Sequence, residues 1–195
     1  MCGRFLFTYD DDIDEMRELT DRILHKYGDD AKIKNGEVFP TDKAVVILED
    51  GKNMDPDFAL WGFKSFNNKG VIINARAETV FEKKMFRESI LNRRCIIPST
   101  GFFEWNQTGE KHKYLFRIQQ QKMLYMAGFY NEIAGERRFV ILTTNANDSM
   151  SDIHHRMPVI IEKDYLEDWV QSKDISLIEN YLSKKQPELI KEMVG

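Results

Sequence analysis

Cys2 directly follows Met1, and its place in the chain says more than its type. Methionine aminopeptidases remove Met before a small residue, which leaves Cys2 as an N-terminus with an amine and a thiol on neighbouring carbons. An α-amine with a pKa of about 7.7–8.0 is substantially neutral at cellular pH, and a thiol of pKa about 8.5 is readily activated. Such a pair suits carbonyl chemistry. The amine adds to an aldehyde to give an imine, and the thiol closes on the imine carbon to form a durable thiazolidine. The plainer alternative is a small residue on an edge strand.

Glu104 stands in Gly101-Phe102-Phe103-Glu104-Trp105. Strand alternation puts Phe103 and Trp105 on one face and Phe102 and Glu104 on the other. A carboxylate among aromatics is desolvated and holds its proton, which fits it for acid-base work; the alternative is an ordinary solvent-facing glutamate. His154 and His155 are adjacent, just before Met157-Pro158, so one at most faces a given site. Imidazole titrates near pH 6.5 and can donate a proton or steady a reactive oxygen; more commonly such a histidine bonds a loop carbonyl. Asn74 and Arg76 lie at the end of an apolar run, where they can supply an amide donor and a phosphate clamp, or simply end a strand. Cys95, in Arg94-Cys95-Ile96-Ile97-Pro98, reads as core packing.

The elements that must position these residues follow from periodicity. Residues 3–8 are β-prone, and the Asp10-Asp11-Asp12 run followed by Ile13, Met16, Leu19, Thr20, Ile23, Leu24 and Tyr27 reads as a helix closed by Gly28. A polar loop over 28–43 precedes a strand at 44–48, a turn at 49–52 and a returning strand at 57–61. After a loop over 62–70, residues 71–73 form a buried strand that delivers Asn74 and Arg76, and a helix covers roughly 79–91. Strands follow at 94–98, 101–105, 114–119, 123–130 and 139–143 as an antiparallel meander, then one more at 159–161 and a helical tail. Strands clustered rather than alternating with helices predict an α+β fold. Its core is a curved, barrel-like, mainly antiparallel sheet flanked by helices, in one domain over 1–195.

The 195 residues, 42% hydrophobic and 31% charged, suffice for one core without low-complexity runs or repeats. The start has no signal-peptide pattern and no run approaches about 18 apolar residues, so a cytoplasmic protein with no membrane partner is expected. Two cysteines without Cys-x-x-C or Cys/His spacing predict no metal site, no cofactor and no disulfide in a reducing compartment. A formal charge of -4 counts against a general nucleic-acid coat. Any nucleic-acid site is therefore a local basic patch, drawn from Arg4, Arg76, Lys83-Lys84 with Arg87, Arg93-Arg94 and Arg156.

Five blocks, in order, carry a resemblance: Met1-Cys2-Gly3-Arg4-Phe5, Ile73-Asn74-Ala75-Arg76-Ala77-Glu78-Thr79, Arg94-Cys95-Ile96-Ile97-Pro98, Gly101-Phe102-Phe103-Glu104-Trp105 and Ile153-His154-His155-Arg156-Met157-Pro158. Together they resemble the SOS response-associated peptidase family, the abasic-site processing proteins, across residues 2–161. The resemblance implies a barrel-like core, a positively charged channel for single-stranded DNA, and a thiazolidine DNA-protein crosslink through the N-terminal cysteine that shields the lesion. It also implies lyase-like crosslink reversal and self-cleaving peptidase activity. Matched position by position, Cys2 is the nucleophile, Asn74 the orienting amide, Glu104 the acid-base group and His154, rather than His155, the catalytic histidine. Arg4, Arg76 and Arg156 fall near DNA phosphates, and Phe66 is set to stack on a base. The implied partners are single-stranded DNA containing abasic sites and the replication machinery, for a monomer in the cytoplasm, associated with the nucleoid in a bacterium.

Three departures stand out. Glu37 lies three residues before Pro40, where relatives usually carry asparagine, and its negative charge is expected to weaken DNA contact. Phe66-Asn67-Asn68 replaces the paired tryptophans of some relatives, and one aromatic offers less platform than two. The chain also ends at Gly195, short of the family's usual C-terminal segment. Two other readings of the same residues are a thiol peptidase in which His154 activates Cys2 and Glu104 orients it, and a noncatalytic single-strand binding module built on Phe66 and the arginines.

Overall fold

Largely unbroken apolar runs in the middle of the chain close a barrel. The computed structural model describes residues 2–10, 12–65, 69–133 and 135–195. Strands β1 (Arg4–Phe7), β2 (Gly36–Val38), β3 (Lys43–Asp50) and β4 (Asn53–Trp61) are followed by the short β5 (Phe63–Lys64), β6 (Val71–Ile72) and β7 (Asn74–Arg76). Then come β8 (Arg94–Ser99), β9 (Gly101–Trp105), β10 (Lys113–Ile118), β11 (Leu124–Ile133), β12 (Glu136–Asn145), β13 (Arg156–Pro158) and β14 (Leu189–Met193). The helices are α1 (Asp14–Tyr27), α2 (Lys84–Asn92), α3 (Leu166–Gln171) and α4 (Ile175–Ser183).

Strand β11 pairs with β8, β8 with β3, β3 with β4, β4 with β12, and β12 again with β11, so five strands form a ring. The expected α+β class with a barrel-like sheet is thus the one found, with one refinement. The pairings of β12 with β4 and with β7 are parallel, not antiparallel. All of Arg94–Ser99 is buried, because one face of β8 lines the barrel and the other lies under α2 and α3, which is why Cys95-Ile96-Ile97 reads as an unbroken apolar run. Strand β11 needs Gly128 there: a Cβ would fall 2.5 Å from Ile97 Cδ1 and 2.6 Å from the Val140 carbonyl oxygen.

A second sheet, in the order β14-β10-β9-β1-β2, is antiparallel throughout. Its inner face carries Phe5, Phe7, Val38, Phe102 and Phe116, all buried. The Phe5 ring lies 5.2 Å from Trp61 at the end of β4, and Phe102 stacks on Phe116 at 5.2 Å. Burying each phenylalanine contributes roughly 1.5–3 kcal/mol, so this face fixes the N-terminal strand against the barrel.

Arg94, 1% exposed, ties helices to the barrel. Its guanidinium donates to the carbonyls of Ile90 and Leu91 near the end of α2 and to those of Trp169 and Ser172 at the end of α3. It caps two helix ends at once, and this corrects its expected place in a surface basic patch.

Helix α1 runs as its periodicity predicts, with Met16, Leu19, Thr20 and Ile23 buried and Gly28 closing it at φ 56°. Other boundaries differ. The polar loop over 28–43 contains β2, held by pairing with β1 rather than by its own apolar pattern. The buried strand expected at 71–73 is the half-buried, two-residue β6, and Asn74–Arg76 form a separate strand, β7. The helix expected from 79 begins at Lys84, after a 3-10 turn at Ala77–Thr79, since fully buried Val80 anchors the chain before the helix can start. The strand expected at 159–161 lies earlier, at β13, with a single bridge from Ile160 to Met126 continuing it. The tail is helical only to Ser183; Leu189–Met193 lengthens the open sheet by pairing with β10. No helix among the described residues is long and apolar enough to cross a membrane.

Candidate active site

Two strands deliver the first pair of site residues. Register places Asn74 beside Ile141 on β12, and from there the Asn74 side-chain nitrogen donates to the Cys2 carbonyl at 2.9 Å. A carbonyl only accepts, so this bond fixes which end of the amide faces Cys2. Asn74 Oδ1 is left buried, with no hydrogen-bond partner among the described residues. Cys2 itself is fully buried, and its thiol lies 3.8 Å from the Arg4 carbonyl oxygen.

Glu104 comes from β9, opposite Tyr114, and is 5% exposed. Alternation puts it on the inner face with Phe102, as expected, although Phe103 on the other face is buried too. His154 enters from the turn before β13, also 5% exposed. Its Nε2 lies 4.0 Å from Glu104 Oε1. The Arg156 backbone N–H donates to His154 Nδ1 at 2.9 Å, whereas the Arg156 carbonyl is 3.2 Å away. We assign the shorter contact, which makes Nδ1 the acceptor and leaves the proton on Nε2, facing Glu104. His155 stacks on His154 with ring centroids 4.4 Å apart but is exposed.

Burial sets the electrostatics. It pushes the Cys2 thiol well above the ordinary thiol range, with the Glu104 carboxylate adding to the rise. Burial likewise raises the Glu104 carboxyl and lowers His154 to about 4. At neutral pH the thiol and imidazole are therefore uncharged, and the protonated form of the carboxyl is favoured more than it would be in water.

The arginines divide. Arg156 is 5% exposed, and its fork takes both oxygens of Glu78 at 2.7 and 2.9 Å, together with Asn145 Oδ1 and the Thr143 carbonyl. It locks the segment whose backbone N–H holds His154. Glu78 is lowered chiefly by that hydrogen bonding. Arg76 is exposed at the end of β7, and Arg4 is half-buried on β1. Phe66 lies outside the described residues. Three residues that sequence reasoning did not place here are Lys113, Phe39 and Trp105. The Arg4 guanidinium lies 4.2 Å from the Phe39 ring centre and 4.9 Å from that of Trp105, and Lys113 Nζ 4.0 Å from that of Phe103. Only the alternation of β9 hinted at this outer face. Among the described residues no group of three His, Cys, Asp or Glu is placed to hold a metal ion.

A site between the ring and the second sheet that brings Cys2 together with an asparagine, a buried glutamate and a histidine defines a class, and comparison agrees. The family profile described as SOS response associated peptidase (SRAP) matches residues 1–193, so the chain belongs to that family. Among similar proteins is the abasic site processing protein YoaM of Bacillus subtilis (strain 168), 34% identical over 189 residues, covering 90% of this chain and 82% of that protein. Another is the abasic site processing protein YedK of Escherichia coli (strain K12), 28% identical, covering 89% of this chain and 81% of that protein. In fold, a crystal structure of a Bacteroides thetaiotaomicron protein superposes with a TM-score of 0.80 at 23% identity, covering 100% of this chain and 92% of that one.

Proposed function

We propose that this protein processes abasic sites in single-stranded DNA by forming a covalent thiazolidine through Cys2 after Met1 is removed. The observation that carries the reading is the hold on the N-terminus: Cys2 is fully buried and fixed through its carbonyl by Asn74, while a shielded carboxyl raised by burial lies in the same site. The free amine attacks the C1 aldehyde of the ring-opened sugar, forming a C–N bond. Glu104, protonated, donates to the carbinol oxygen, which leaves as water, and its carboxylate takes back the N–H proton of the resulting iminium to give the imine. The thiol then adds to the imine carbon. Its sulfur forms the new C–S bond, and its proton ends on the nitrogen. Asn74 Oδ1, a buried acceptor, suits a hydroxyl or amine donor of the adduct. His154, neutral with its proton on Nε2, is suited to assist sugar opening.

Run backwards, the same transfers release the crosslink, and the same site supports self-processing of an initiator peptide. A simple thiol peptidase fits less well. It needs a thiolate beside an imidazolium, whereas burial moves thiol and imidazole in the directions that oppose that ion pair. Single-stranded DNA is the partner in this reading. Contact with the replication machinery and the monomeric state are carried over from the resemblance, and the single-domain organisation from the chain's length and clustered strands.

Mature protein mixed with a single strand containing one abasic site is expected to give a covalent species on a denaturing gel. Cys2→Ala and a form retaining Met1 should give none. Acetylating the mature amine separates the readings, because it abolishes aldehyde capture and leaves a simple thiol protease active. An unmodified Cys2 by mass spectrometry after reaction would sink the proposal.

A further inference from the structure

The outer face of the open sheet carries a carboxylate clasped by two cations. Strand register sets this up: Arg4 pairs with Phe103, Glu37 with Leu6, and Lys113 with Trp105. Alternation then sends the side chains of Arg4, Glu37, Phe103, Trp105 and Lys113 to the side opposite Glu104. Arg4 Nη1 donates to Glu37 Oε2 at 3.0 Å, and Lys113 Nζ donates to Glu37 Oε1. The three side chains are 28%, 31% and 17% exposed for Arg4, Glu37 and Lys113. Aromatic rings of Phe39 and Trp105 flank the Arg4 guanidinium.

Two oxygens of one anion, each taken by a different cation, is also the way a phosphodiester presents its non-bridging oxygens to arginine and lysine. Flanking aromatics are what unstacked bases lie on. The cluster begins two residues, about 7 Å of strand, from Cys2. We infer that Arg4 and Lys113 form a phosphate subsite for the nucleic-acid strand, and that Glu37 is its built-in occupant, displaced when the backbone binds. The inference rests on the proposed function and adds a subsite residue, Lys113, and an internal competitor to it. It gives the expected weakening by Glu37 a specific cause: the carboxylate does not simply repel DNA, it withholds two cations from it.

The test is fluorescence anisotropy with an intact, end-labelled oligothymidylate, so that binding is read without crosslinking. Glu37→Gln keeps the side chain's shape while removing the charge and leaving one acceptor oxygen in place of two. It is expected to bind roughly tenfold tighter at about 50 mM salt, with the gap narrowing by 200 mM. Its slope of log K against log salt should steepen by about 0.7 for each cation made available. Glu37→Asp, which keeps the charge but shortens the reach, should fall between parent and Glu37→Gln. It also serves if the glutamine variant folds poorly. In an Arg4→Gln, Lys113→Gln background the gain from Glu37→Gln should vanish.

In crosslinking assays the gain should appear in the half-saturating protein concentration rather than in the rate at saturation. Unchanged affinity and salt slope in Glu37→Gln, or a gain that survives loss of both cations, overturns the subsite. A parent that crosslinks while Glu37→Gln binds no tighter defeats the subsite alone. A parent that never crosslinks while Glu37→Gln binds tighter defeats only the abasic-site chemistry.

Discussion

The two faces of strand β9 make opposite use of charge. Inward, Glu104 sits 5% exposed beside His154, and burial favours the uncharged form of both. Outward, Trp105 and Phe103 support Arg4 and Lys113, which hold a carboxylate between them. A low-dielectric pocket strengthens a proton transfer but penalises a standing charge, whereas a wet face tolerates charge and screens it. On the proposed function and subsite, one strand thus separates proton chemistry from anion binding by the thickness of a sheet.

The sharpest way to break this contrast is Glu104→Gln. Loss of an inner general acid should slow crosslink formation by about 100-fold or more, while affinity for an intact strand, set on the outer face, changes less than about twofold. Single-turnover gels and anisotropy measure the two halves, and equal losses in both would erase the division.

A moderate effect is expected from pH. His154 falls from 6.5 to about 4 on folding, so the unfolded chain binds more protons within that window. Its contribution to stability is complete above pH 6.5 and is lost as pH drops towards 4. Glu104, raised on folding, works in the other direction: its contribution is lost as pH rises from 4.5 through its elevated value. Melting curves of the parent and His154→Gln should therefore converge as the pH falls from 6.5 to 4. A difference that stays constant over that range would place a charged imidazole in the folded site.

The smallest effect belongs to Arg76, exposed on β7. Arg76→Ala should weaken binding of an intact strand a few-fold and lower the salt slope by about 0.7, uniformly across sequences. A change in crosslinking rate at saturation would move Arg76 to the chemical side.

Much of the framework was legible because it obeys period. The Gly101-to-Trp105 strand put Glu104 with Phe102 by alternation alone, and α1 announced itself through Met16, Leu19 and Ile23. The elements that escaped are those whose partners define them. Strand β2, at Gly36–Val38, and β14, rich in the helix formers Leu, Lys, Glu and Met, are strands only because β1 and β10 offer edges. Within the site, residue types were readable but contacts were not. Asn74 reaches Cys2 across 72 positions, and Arg156 reaches Glu78 across 78. Side-chain pairs at such separations leave no mark in local spacing, so Arg156 read as a surface cation when its fork is filled from within. The same holds for the clasp on Glu37, visible beforehand only as an unexpected negative charge.

Arg94 has a mechanical consequence. Four carbonyls from two helix ends converge on one interior guanidinium rooted in a barrel strand; burial brings it down to about 10, which leaves it protonated at neutral pH. Neither helix can peel away without stranding a cation in oil, so amide hydrogens on both should exchange with solvent only through the same opening event that loosens the barrel. The outer layer and the central cylinder then behave as one cooperative body.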